Sequence, residues 1–239
     1  MKIKVIMSDK AMTRETMDQR ELMLKEAVSS ECTISVDCIK KGPDELDCNT
    51  DEAFAAAEMV KESIKAEKEG YDAIVIYCFS DVGIDAIREN VSIPVVGPGE
   101  TSLAAASMLC NRFTVLTSES INIPRTYRRL WKNAIARDKM AAVRALDIPI
   151  GELRKDAKAT ETYLKSVCEA AVKEDHADGI ILGCLSMAGY GKQLEAELPI
   201  KVIDPAFLAV AYAELCARLH LAHVAAVYPK FMNNSNVEL

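Results

Sequence analysis

Asp72-Ala-Ile-Val-Ile-Tyr-Cys78-Phe-Ser80-Asp-Val-Gly83 returns later in the chain as Asp178-Gly-Ile-Ile-Leu-Gly-Cys184-Leu-Ser186-Met-Ala-Gly189. The aspartates, cysteines, serines and glycines coincide when the second stretch is moved back by 106 residues. Further on, Ile93-Pro-Val-Val-Gly-Pro98 matches Ile200-Lys-Val-Ile-Asp-Pro205 at a spacing of 107, so one inserted residue separates the copies. The small-residue runs Leu103-Ala-Ala-Ala and Leu208-Ala-Val-Ala follow. Upstream, Lys2-Ile-Lys-Val-Ile-Met-Ser8 resembles Arg112-Phe-Thr-Val-Leu-Thr-Ser118 more weakly. Duplication of a whole unit is the simplest account.

The unit reads as alternating strand and helix. The short apolar runs 73–77, 180–182 and 202–203 fit strands buried on both faces. Second strands are expected near 33–39 and 142–148. Helical spacing covers 13–28 (Met17, Leu22, Leu24, Ala27, with a Thr-x-x-Thr start), 51–69 and 160–174. Such alternation predicts an α/β chain with a parallel sheet and right-handed crossovers in each half. The expected division is a first domain of 1–100 with 206–239 and a second of 101–205, the last helix returning to the first half. The polar stretch from Lys230 reads as a tail without packing.

Composition narrows the function. The 239 residues carry a formal net charge of −7 with the two signs interspersed, which argues against nucleic-acid or membrane-surface partners. Neither a membrane-spanning run nor a signal peptide is read, so the cytoplasm is the expected location. The eight cysteines include no C-x-x-C pair, and His176, His220 and His223 are not spaced to complete a zinc site, so no metal is expected. Disulfides are not expected in a reducing compartment, and most of the thiols should be buried as small apolar residues.

Cys78 and Cys184 are different. Each closes a strand of its copy, at the end of a parallel sheet where ligands bind. None of the other six cysteines has a partner under the same offset. A strand-end core position is the ordinary reading of one such cysteine; the matched pair favours chemistry. Two thiols suit inversion of a stereocentre beside a carbonyl, where one thiolate removes a proton and a thiol returns one to the opposite face. The amides at Phe79–Ser80 and Leu185–Ser186, read as helix starts, would stabilise the enolate.

The segments 76–83 and 182–188, with Gly97-Pro-Gly-Glu100 and 112–117, resemble the aspartate/glutamate/hydantoin racemase family. The resemblance covers nearly the whole chain and is nearest the hydantoin and allantoin racemase branch. It implies two pseudo-symmetric flavodoxin-like domains, an active site in the cleft between them, no cofactor, and acid–base roles for Cys78 and Cys184. It also implies a small-molecule substrate and a homo-oligomer. Met7-Ser8-Asp9 stands where hydantoin racemases carry Asn-Pro-Asn, and Ser186 where amino-acid racemases carry histidine.

The expected activity is therefore cofactor-independent racemisation or epimerisation of a hydantoin-like, allantoin-like or amino-acid-like compound. Maleate cis–trans isomerisation, aspartate or glutamate racemisation, and non-catalytic binding of a small anion stand as alternatives. Substrate-contact candidates are Ser8, Asp9, Lys10, Phe79, Ser80, Thr117, Ser118, Leu185 and Ser186. Turn formation and helix capping explain the polar ones equally well. Asp81 matches the hydantoin-branch motif and also suits a helix N-terminus. Gly97-Pro-Gly-Glu100 lacks the Gly-Lys-Ser/Thr of a phosphate loop. His220 and His223 are read as stabilising a helix C-terminus, and Trp131 as a core or subunit contact.

Overall fold

The computed structural model describes residues 1–131 and 134–229. Its elements, in chain order, are β1 (Lys2–Met7), α1 (Arg14–Leu24), β2 (Thr33–Cys38), α2 (Asn49–Lys68), β3 (Ala73–Tyr77), α3 (Ile84–Asn90), β4 (Val95–Val96) and α4 (Pro98–Leu109). There follow β5 (Phe113–Thr117), α5 (Ile123–Leu130), α6 (Ala134–Lys139), β6 (Met140–Ala145), α7 (Ala157–Glu174), β7 (Gly179–Leu182), α8 (Gly191–Glu197), β8 (Lys201–Ile203) and α9 (Pro205–Leu219). The strands form two four-stranded parallel sheets of identical order, β2-β1-β3-β4 and β6-β5-β7-β8. Among the described residues the chain divides into two compact units, Met1–Pro98 with 209–229, and Gly99–Leu208. The tail read from Lys230 lies outside the described residues.

The first unit is built on β1 and β3. Every residue of β3 is buried, as are Ile3, Val5 and Ile6 of β1, so helices cover both faces of the sheet. Ile74 and Ile76 meet Met59 and Ala66 of α2 and Ile87 of α3 on one face. Helix α1 starts where Thr13 caps it, its side chain accepting the Thr16 N–H at 3.2 Å. Its buried face is Met17, Arg20 and Leu24, whereas Leu22 is 74% exposed. Leu22 therefore does not belong to the core. Arg20 takes that place, its guanidinium 5.7 Å from the centre of the Tyr77 ring, where the ring face offsets burial of the charge. Lys4 is buried in β1, paired with Asp37 and 4.9 Å above the Tyr71 ring.

In the second unit, Leu116, Ile180 and Leu182 meet Leu164, Cys168 and Ala171 of α7. Strand β6 ends at Ala145, earlier than the apolar run 142–148 suggested, because Asp147 turns the chain at φ 55°. Leu130 is buried but Trp131 is 58% exposed, which removes the core reading of the tryptophan. In the first unit, the Ser29 N–H donates to the Glu214 carboxylate of α9 at 3.0 Å. His223 does not act on the end of α9; its Nε2 lies 2.8 Å from the Val91 carbonyl oxygen, tying the chain after α9 to the end of α3. His220 does stand at that helix end, in the left-handed region at φ 54°.

Candidate active site

Parallel strands deliver their following residues to one edge of a sheet. In the first unit Met7 is level with both Cys38 and Tyr77, so Ser8 and Cys78 leave the sheet side by side. In the second, Leu116 is level with Leu182, which sets Thr117 and Ser118 beside Gly183 and Cys184. Each unit thus brings its sequence-nominated residues to the carboxyl ends of its central strands.

Both cysteines are partly buried, outside any disulfide, and stand at the start of a tight turn. The Asp81 N–H donates to the Cys78 carbonyl at 3.0 Å, and the Met187 N–H to the Cys184 carbonyl at 2.9 Å. These are the same bond in the two copies of the repeat. Gly83 and Gly189, again repeat partners, both take positive φ, at 70° and 96°. The reading of Phe79–Ser80 as a helix start is corrected: α3 begins only at Ile84, and the segment between is a turn carrying Asp81 at φ 54°. After Cys184 the chain does form a single 3₁₀ turn, Leu185–Met187.

The side chains around the thiols fall into distinct classes. The Cys78 Sγ is 3.0 Å from the Ser80 Oγ. Phe79 and Leu185, which follow the two cysteines, are each 5% exposed and are mainly packing residues. Ser8, Thr117 and Ser118 are buried. Ser186 is partly exposed beside Cys184. Lys10 is exposed and its Nζ lies 3.7 Å from the Asp44 carboxylate, a surface pair.

Asp9 is the strongly perturbed group of this edge. Burial pushes its carboxyl from 3.8 up to about 6, with the charge of Glu45 adding to the rise and the amides of Ala11 and Met12 opposing it. Burial likewise pushes up the Cys38 thiol at the end of β2, with the Asp9 charge second. In the second unit Asp204 follows β8. It accepts the Gly189 N–H at 2.7 Å and the Ala206 N–H at 3.1 Å. Burial raises its carboxyl above the ordinary range, against the lowering effect of those amides, the Phe207 amide and Arg154. Arg154 in turn donates to the Ala188 carbonyl in the same loop. Sequence reading missed Asp204 as a site residue. The signal was present: it is the one position in the matched strand ends where glycine (Gly97) faces an acid.

Among the described residues, no group of three or more His, Cys, Asp and Glu side chains is arranged to hold a metal ion. Nor is any described helix long and apolar enough to cross a membrane.

The Asp/Glu/Hydantoin racemase family model matches residues 11–213. A hydantoin racemase of Pseudomonas sp. (strain NS671) is 35% identical over 216 residues, 90% of this chain and 85% of the relative. A hydantoin racemase of Paenarthrobacter aurescens is 32% identical over 211 residues, 87% of this chain and 86% of that one. The solved allantoin racemase from Klebsiella pneumoniae has a TM-score of 0.90 and 26% identity, covering 98% of this chain and 94% of its own. With its two four-stranded parallel sheets and its paired cysteine turns, the chain belongs to the Asp/Glu/hydantoin racemase family and is an isomerase of the racemase type.

Proposed function

We propose that the protein racemises a hydantoin-like or allantoin-like compound by transferring protons through Cys78 and Cys184, without a cofactor. The observation that carries this is the repeat-matched pair of thiols. Each follows a corresponding strand, and each opens a turn closed by the same backbone bond. The substrate class comes from the relatives, which are hydantoin and allantoin racemases.

One cysteine, as thiolate, takes the proton from the stereocentre beside the ring carbonyl and becomes a thiol. The electron pair moves into an enolate on the carbonyl oxygen, where peptide N–H groups of the cysteine turns donate to it. The other cysteine, as thiol, gives its proton to the opposite face and is left as thiolate. The enantiomer bound decides which thiol begins as base. The reading requires both thiols to reach one stereocentre from opposite faces. A reducing compartment, the cytoplasm, suits eight free cysteines.

The test is proton exchange in D2O, followed by NMR and chiral separation, with each enantiomer of allantoin and of 5-benzylhydantoin. Wild-type protein is expected to invert at least one compound and wash deuterium into its stereocentre. Cys78→Ser and Cys184→Ser should each lower inversion by about 10³-fold while the fold is kept. Inversion that survives both substitutions would overturn the mechanism. Conversion of maleate to fumarate by the wild type, with no exchange of the hydantoins, would move the assignment to an isomerase of a different substrate.

A further inference from the structure

The two copies of the repeat differ at one point that the fold makes informative. Position 204 is aspartate in the second copy, and its repeat partner, position 97, is glycine in the first. Asp81 lies in the first cysteine turn, and its partner in the second is Met187, which is fully buried in the apolar core. The acid and the residue without charge have changed places.

The geometry shows that the exchange is spatial as well. A Cβ on Gly97 would stand 2.5 Å from the Asp81 Cγ and 2.6 Å from its Oδ1. The Asp81 carboxyl therefore occupies the space that a side chain at position 97 would enter. In the second unit the Asp204 side chain enters that space from the strand end. There its two oxygens accept the Gly189 N–H, on the cysteine loop, and the Ala206 N–H, in the first turn of α9. Each unit thus sets one carboxylate between its cysteine loop and the strand end that follows, supplied from opposite sides.

We infer that Asp81 and Asp204 are equivalent positioning residues, one for each cysteine, although they do not align in the sequence repeat. Each fixes its own turn against the neighbouring strand end and so fixes the direction of the thiol. This inference rests on the proposed role of the two cysteines. It goes beyond that role by assigning one carboxylate to each.

Asp204→Asn tests it cleanly. Asparagine caps a helix as well as aspartate does, so the Ala206 bond and the fold are kept. Its single carbonyl oxygen, however, cannot also hold Gly189. Asp81→Asn is the matching change, since asparagine tolerates the left-handed backbone at 81. Native protein is alkylated with iodoacetamide and each cysteine is followed by mass spectrometry. Asp204→Asn is expected to change the rate at Cys184 at least threefold and leave Cys78 as in the wild type. Asp81→Asn should do the reverse. On 5-benzylhydantoin each variant should lose roughly ten- to a hundredfold in kcat with KM within about twofold, as a misplaced reacting group does. Asp204→Ser, cap-competent but too short to reach both amides, serves if the asparagine variant fails to fold.

Unchanged rates at both cysteines, or equal changes at both in either variant, would overturn the pairing. If the wild type inverts no hydantoin or allantoin, the substrate reading fails. The alkylation rates still decide the pairing in that case.

Discussion

Ser80 Oγ stands 3.0 Å from Cys78 Sγ, two residues away across the first cysteine turn. Either atom can donate in this pair, and the contact ties the sulfur to the hydroxyl of its own turn. Ser80→Ala should change the rate of iodoacetamide alkylation of Cys78 at pH 7 by about three- to tenfold and lower kcat by a similar factor, since one hydrogen bond is worth about 1 kcal/mol net. Cys168 gives an internal reference. Burial pushes its thiol up to about 12, so it should stay unlabelled until the protein unfolds. An unchanged rate at Cys78 would show that Ser80 serves only the turn.

Asp9 links the site edge to stability. Its carboxyl titrates at about 6 in the folded chain against 3.8 ordinarily, because burial penalises the anion. The folded state thus holds the proton more tightly than the unfolded state. Stability contributed by this group is present below the unfolded value and is lost as pH rises through the folded one. Asp9→Asn should therefore raise Tm by about 2–4 °C at pH 7.5, and leave it unchanged near pH 3.5, where both residues are neutral. Thermal melts at the two pH values check this. A gain of equal size at both would place the effect elsewhere than in the charge.

Gly183, immediately before Cys184, has no room for a side chain. A Cβ there would meet the Leu116 carbonyl oxygen at 2.5 Å and Val115 Cγ1 at 2.7 Å, and the first of these is backbone of the adjacent strand. Gly183→Ala should force β7 from β5 and cost about 1–3 kcal/mol of stability. Urea denaturation gives the first number and the hydantoin assay the second, where a loss larger than the unfolded fraction is expected. The same substitution at Gly70, which has nothing within 4 Å of an added Cβ, is the comparison for space. Its φ of 80° still carries a backbone penalty.

Much of the site was legible before the fold was known. A repeat offset is translational, so it placed Cys78 and Cys184 at equivalent strand ends without knowledge of any contact. The turns that follow them were less legible. Phe79–Ser80 and Leu185–Ser186 both read as helix starts, and only the second begins a 3₁₀ turn. Asp81, in the left-handed region, breaks the first one. Local propensity does not distinguish the two, because the space at Gly97 that receives the Asp81 carboxyl comes from a separate strand end.

The sequence by itself determined the duplication, the alternation of strand and helix, the parallel sheets and the two cysteine positions. All of these follow from period and spacing along one dimension. Only the tertiary structure decided which residues occupy the interior places. It buried Arg20 over Tyr77 while leaving Leu22 in solvent, and it aimed Asp81 and Asp204 into corresponding spaces from opposite directions. A side chain's environment is set by neighbours far away in the chain, and the energies of burial and hydrogen bonding are settled only when those neighbours meet.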